Sequence, residues 1–144
     1  MTTTALATVA PEARVTKLAE LQAKVNERLQ QRALELTEEV MQNMPEYAEF
    51  PWIECTDYNY DGKSYTFKVA SPDGEGDVGN ASPEVTVTVD ELAKTMPLFY
   101  MAVLAGTLGG LCINDQNFWD GGDWDACALD AFLQFHFYND TVFG

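Results

Sequence analysis

Between Val15 and Met44, apolar residues recur every three or four positions, at Val15, Leu18, Leu21, Val25, Leu29, Ala33, Leu36, Val40 and Met44, with charges between them. This spacing predicts a long amphipathic helix over 15–44, ended by Pro45. At about 1.5 Å per residue it spans about 45 Å, longer than a small domain is wide, so part of it is expected to project or to pair with a second copy. From Pro51 the period changes to two. Trp52 to Tyr60 and Lys63 to Val69 alternate β-favouring residues around Asp61-Gly62, which predicts a hairpin with a two-residue turn. Residues 71–83 are turn-forming almost throughout and predict a long exposed loop. Val85, Val87 and Val89 alternate with Thr86 and Thr88, so a third strand with one apolar face completes a three-stranded antiparallel meander.

Thr88 followed by Glu91 has the form of a capping box and opens a helix. Pro97 predicts either a kink in it or a new helix after Thr95, and the apolar stretch through Leu108 ends at Gly109-Gly110. Asp123 is placed to cap a last helix from Trp124 to Tyr138, whose polar positions are Asp125, Asp130, Gln134 and His136. The fold class expected is α+β, with a long N-terminal amphipathic helix, a three-stranded antiparallel meander and two or three apolar C-terminal helices packed on the sheet. Residues 1–14 are expected to be a flexible arm and 15–144 a single domain, divided into the long helix (15–44), the sheet (51–89) and the helices (90–138).

Composition supports a folded core: 47% of the 144 residues are hydrophobic and 12% aromatic, too many for intrinsic disorder even at a net charge of −15. Three cysteines, Cys55, Cys112 and Cys127, show no paired spacing, and no stretch has the form of a signal peptide. The expected setting is reducing and cytoplasmic, with the cysteines small buried residues. Charge is distributed unevenly. Residues 1–44 hold six acids and five cations, whereas residues 45–144 hold seventeen acids against Lys63, Lys68 and Lys94. A field of this sign repels a polyanion, so direct nucleic-acid binding is not expected and a basic protein surface is the better partner.

Motifs that carry chemistry are scarce. Asp57 to Gly62 matches the first half of a calcium loop, but Lys68 stands where the closing Glu belongs. Asp115, Asp120, Asp123 and Asp125 crowd one loop with Asn114 and Asn117, a set of oxygens suited to a divalent ion, although capping and turn roles account for part of it. Cys127 and His136 lie nine positions apart on one helix, about 180° round it, which prevents them from pairing. Met96 to Ile113 lacks charge for 18 residues, but Pro97 and three glycines interrupt it, and a core helix rather than a membrane span is expected. Trp119, in a polar loop, is the candidate apolar anchor.

These readings point to a non-enzymatic, cofactor-free, acidic interaction protein that binds a basic protein partner. In size, charge and scarcity of motifs it compares with nucleic-acid mimics of the phage and plasmid counter-defence type and with immunity proteins. The expected partner-binding residues are Asp57, Asp61, Asp73, Glu75, Asp77, Asp115, Trp119, Asp120, Asp123 and Asp125, forming much of one face. The alternative is a structural or assembly subunit of a virion or homo-oligomer, contacting its neighbours through Leu18, Leu21, Val25, Leu29 and Leu36. The third class is a divalent-metal or thiol enzyme with its site within residues 112–125.

Overall fold

The computed structural model describes residues 10–42, 50–59, 61, 63–74, 76–108 and 110–143. The architecture is α+β: a long N-terminal helix, a three-stranded antiparallel sheet and two further helices. Helix α1 runs Pro11–Met41 and starts four residues earlier than its apolar stripe. Pro11 explains the early start, because the first turn of a helix leaves its N–H groups unpaired and a residue without one loses nothing there. Of the flexible arm expected at residues 1–14, residues 11–14 form the first turn of α1, while residues 1–9 and the expected stop at Met44-Pro45 lie outside the described residues.

Strands β1 (Ile53–Asn59), β2 (Ser64–Val69) and β3 (Glu84–Thr88) pair in sequence order as the expected meander. The β1–β2 register runs from Ile53↔Val69 to Asn59↔Ser64, with a bulge between Cys55 and Asp57. That register leaves residues 60–63 in the connection, two more than the expected turn, and Lys63 takes the positive φ of 51°. Tyr65, Phe67 and Val69 of β2 point into the core, whereas Ser64, Thr66 and Lys68 point away. On β3 only Val87 is buried, while Val85 stays exposed at the strand's outer end, so the expected apolar face of β3 is half realised. Thr66 Oγ1 and Thr86 Oγ1, 2.9 Å apart, tie the solvent face across β2 and β3.

β3 passes straight into helix α2 (Val89–Ala105), with the Thr88 hydroxyl accepting from Glu91 N–H at 3.1 Å as the capping pattern predicts. Pro97 starts no new helix: α2 runs through it without a break. Met96 and Phe99, buried on either side of Pro97, hold the segment against the core and offset the lost backbone bond. The stop comes at Gly106 rather than Gly109-Gly110, because Gly106 adopts a left-handed φ of 71° and returns its N–H to the last turn. α2 is also not buried on all sides: Leu98, Met101 and Leu104 are 58%, 63% and 52% exposed.

Helix α3 (Ala126–Tyr138) begins two residues later than expected. Asp125, not Asp123, caps it by accepting from Ala128 N–H at 2.8 Å, while Asp120 caps a separate 3-10 turn at Gly121–Asp123. α3 covers the sheet with aromatic rings. Phe137 meets Trp52 and Phe67 edge-on, and the Tyr138 hydroxyl donates to Ala70 O at 2.6 Å. The other side of the core is a ring cluster of Phe99, Phe118, Trp124 and Phe132.

Candidate interaction surfaces

α1 has two halves with different fates. Ala33, Leu36, Thr37, Val40 and Met41 are buried against the rest of the molecule, whereas from Pro11 to Arg32 every residue is exposed except half-buried Leu29. Two contacts fix how α1 lies. Glu38 accepts from Lys63 Nζ at 2.7 Å, and the Lys63 carbonyl accepts from Val89 N–H at the start of α2. Arg32 donates to the carbonyl of Trp119, whose ring packs 5.2 Å from that of Tyr100. Moving from Glu38 to Arg32 therefore leads from the start of α2 past its middle, so the helices are antiparallel. Only five residues of α2 remain beyond Tyr100, roughly 8 Å, whereas α1 continues from Arg32 to Pro11 for roughly 30 Å. Most of that half runs past the end of α2 and, among the described residues, has nothing packed beneath it.

This projecting half is strongly sided. Val15, Leu18, Leu21 and Val25 are 66%, 65%, 45% and 57% exposed and continue the stripe that Ala33, Leu36 and Val40 bury further along. At about 100° per residue, Arg14, Lys17, Lys24, Arg28 and Arg32 fall within a sector of about 80° on one flank of that stripe. Glu12, Glu20 and Glu27 occupy the far side. The cationic flank is present in the sequence and becomes visible only when charge is read by angle rather than by stretch. From Pro11 to Arg28 every residue is exposed, so the segment is held by local bonds such as Gln22 Nε2 to Asn26 Oδ1 at 3.2 Å, and helices of this length are marginal alone in water. Covering the four exposed side chains would gain on the order of 1 kcal/mol each. Of the expected contact residues, Leu18, Leu21 and Val25 stand exposed and Leu29 is half-covered. Leu36, 3% exposed, belongs to the chain's own core.

The expected acidic binding residues fall in three stretches of the chain. Asp61 lies in the hairpin connection and Asp57 in β1 opposite Thr66, whereas Asp73 and Asp77 lie in the loop that follows Val69 at the other end of β2. Asp115, Asp120, Asp123 and Asp125 are all exposed in the connection between α2 and α3, while Glu75 lies outside the described residues. Trp119 is half-buried rather than free, packed 5.0 Å from Phe118 as well as on Tyr100. A cleft of about 510 Å³ separates the end of α1 from the start of α3, lined by Glu39, Gly122, Trp124, Asp125 and Leu129 among others. The Glu39 carboxylate lies where a side chain at Gly121 would begin, so any larger residue there would have to displace it.

The thiols depart from expectation: Cys112 and Cys127 are exposed and Cys55 is half-buried. Burial, and then the neighbouring Asp125 carboxylate, push the Cys112 thiol up, which disfavours the nucleophilic thiolate. His136 faces Thr95 on α2, with Nδ1 2.7 Å from Oγ1. Among the described residues no three His, Cys, Asp or Glu side chains converge to hold a metal ion, and no helix is long and apolar enough to cross a membrane.

Comparison with protein-family models, with curated proteins and with solved structures finds no significant match.

Proposed function

We propose that this protein works by docking rather than by catalysis, as an assembly or adaptor subunit whose working element is the projecting half of α1. The observation that carries this reading is the exposed run of Val15, Leu18, Leu21 and Val25 on a helix whose next turns bury the same stripe. The three unpaired thiols fit a reducing, cytoplasmic setting. Photo-crosslinking from position 18 and from position 20 in cells making the protein tests the reading. Leu18 lies in the stripe and Glu20 on the far side, so adducts are expected from 18 and not from 20. Equal adducts from both positions, or none from either, would overturn it.

A second reading, that the acidic body docks on a basic protein surface, is favoured by the scarcity of neutralising partners. Among the described residues only Glu35 and Glu38 form ion pairs. Association through the body should then weaken steeply with salt, and a salt-independent complex would exclude it.

A further inference from the structure

We infer that the surface covered by the projecting half of α1 is the exposed side of α2 in a second copy of this chain, so that two copies exchange arms reciprocally. The inference rests on the docking reading above and names its partner.

Four observations converge on it. The arm's stripe is the direct continuation of Ala33, Leu36 and Val40 on a helix that packs on α2, so the arm presents the same kind of face that α2 already accepts. α2 itself leaves a second apolar side unpartnered at Leu98, Met101 and Leu104, spaced three apart on one side of the helix. The antiparallel course of α1 carries the arm beyond the Ala105 end of α2. A two-fold axis beside that end would therefore lay each arm across the other copy's α2 and make the contact closed and isologous. Charge supplies the fourth. The segment from Pro11 to Arg32 holds five of the eight cations and three acids, a net of +2, while the remainder holds three cations and twenty acids, a net of −17. The basic surface that the acidic body calls for is thus present on the chain itself, beside the apolar stripe.

The same charges weigh against other occupants. A cationic amphipathic helix alone would suit an anionic lipid surface or a nucleic acid, but here either polyanion would also face a body of net −17 at the base of the arm, where Arg28 and Arg32 lie.

Sedimentation equilibrium on the intact chain tests the inference. The native chain is expected at twice its 16.0 kDa mass, dissociating as salt is raised. Leu18→Gln/Leu21→Gln on the arm and Leu98→Gln/Met101→Gln on α2 change exposed side chains only, and each should weaken the dimer at least about tenfold with the circular dichroism unchanged. Mixing the two variants should restore association, because the hybrid keeps one intact arm facing one intact α2. A native chain that stays monomeric overturns the inference. So does an α2 variant that dimerises like the native chain with no rescue on mixing, since the arms would then pair with each other. Binding of a monomeric chain to vesicles containing anionic phospholipid, lost in the arm variant, also overturns it. A monomer that still crosslinks to another protein from position 18 alone removes this inference and leaves the docking reading standing, whereas a monomer without face-specific crosslinks removes both.

Discussion

Gln134 grips Phe143 from both ends of its amide: Nε2 donates to the Phe143 carbonyl at 3.0 Å, and Oε1 accepts from the Phe143 N–H at 2.8 Å. Its remaining capacity goes to Asp130 Oδ1 and to the Val142 N–H, so a side chain 1% exposed has every donor and acceptor used. The grip folds the tail back over the sheet, where the Phe143 ring stacks 6.2 Å from Trp52 and lies 3.0 Å from where a Cβ at Gly76 would stand, a residue that also holds a positive φ of 85°. Gln134→Leu should therefore lower stability by roughly 2–4 kcal/mol, from four lost bonds of about 1 kcal/mol each. Urea unfolding checks the size of the loss. Hydrogen exchange checks the cause, since Val142 and Phe143 should lose protection before the helices do.

His136 gives the fold a graded sensitivity to acid. Burial pushes its pKa below the ordinary 6.5, against the charge of Glu91, which pulls it up. The folded state thus prefers the neutral ring that shares a hydrogen bond with Thr95, while the unfolded chain takes up a proton first as pH falls. This contribution is complete above about pH 6.5 and is lost progressively below it. The urea midpoint should drop between about pH 7.5 and 5.5, and His136→Phe should show a shallower drop. Identical slopes in the two proteins would remove histidine as the cause.

Cys112 should be a slow nucleophile in spite of its exposure. Burial of the sulfur contributes most to raising its thiol, and the Asp125 carboxylate adds to it, the Asp125 N–H acting the other way. The carboxylate itself is held below its usual range, chiefly by the Ala128 N–H that it caps. Its midpoint in an alkylation pH profile, followed residue by residue by mass spectrometry, should lie above that of an unstructured thiol. Asp125→Asn keeps a capping oxygen but removes the charge, so the profile should move down. A profile unmoved by that change would exclude the carboxylate as a contributor.

Periodicity made the elements legible where one residue decides an element's start or face, as Thr88 does for α2 and the alternation through Tyr65, Phe67 and Val69 does for β2. It failed where two equivalent residues compete for one role. Asp123 and Asp125 are both able to cap α3, and the choice fell to Asp125 because Asp120 had already closed the preceding 3-10 turn. Pro97 was ambiguous for a related reason, since local sterics disfavour a helix that the burial of Met96 and Phe99 enforces. Gln134 was legible only as a polar position, because its partners Val142 and Phe143 arrive by a reversal of the chain that no spacing announces. The stripe of α1 was readable from Val15 to Val40, but a stripe does not say where the domain beneath it ends.

That end lies between Leu29 and Ala33, and paired substitutions on one stripe locate it. Leu36 and Leu18 share residue type, helix and stripe, yet one is 3% and the other 65% exposed. Leu36→Ala should cost about 2–5 kcal/mol through the cavity that it leaves, lowering the melting temperature by roughly 2–4 °C per kcal/mol in a domain of this size. Leu18→Ala should change the unfolding free energy by less than about 0.5 kcal/mol when the chain is dilute enough to be monomeric. If arms are exchanged, the same substitution lowers the melting temperature only as concentration rises, because binding stabilises a fold by mass action. Thermal melts of both variants over a concentration series therefore separate a residue that holds its own domain together from one that holds two chains together. A Leu18→Ala effect as large as that of Leu36→Ala in dilute solution would show that the arm folds back on its own body.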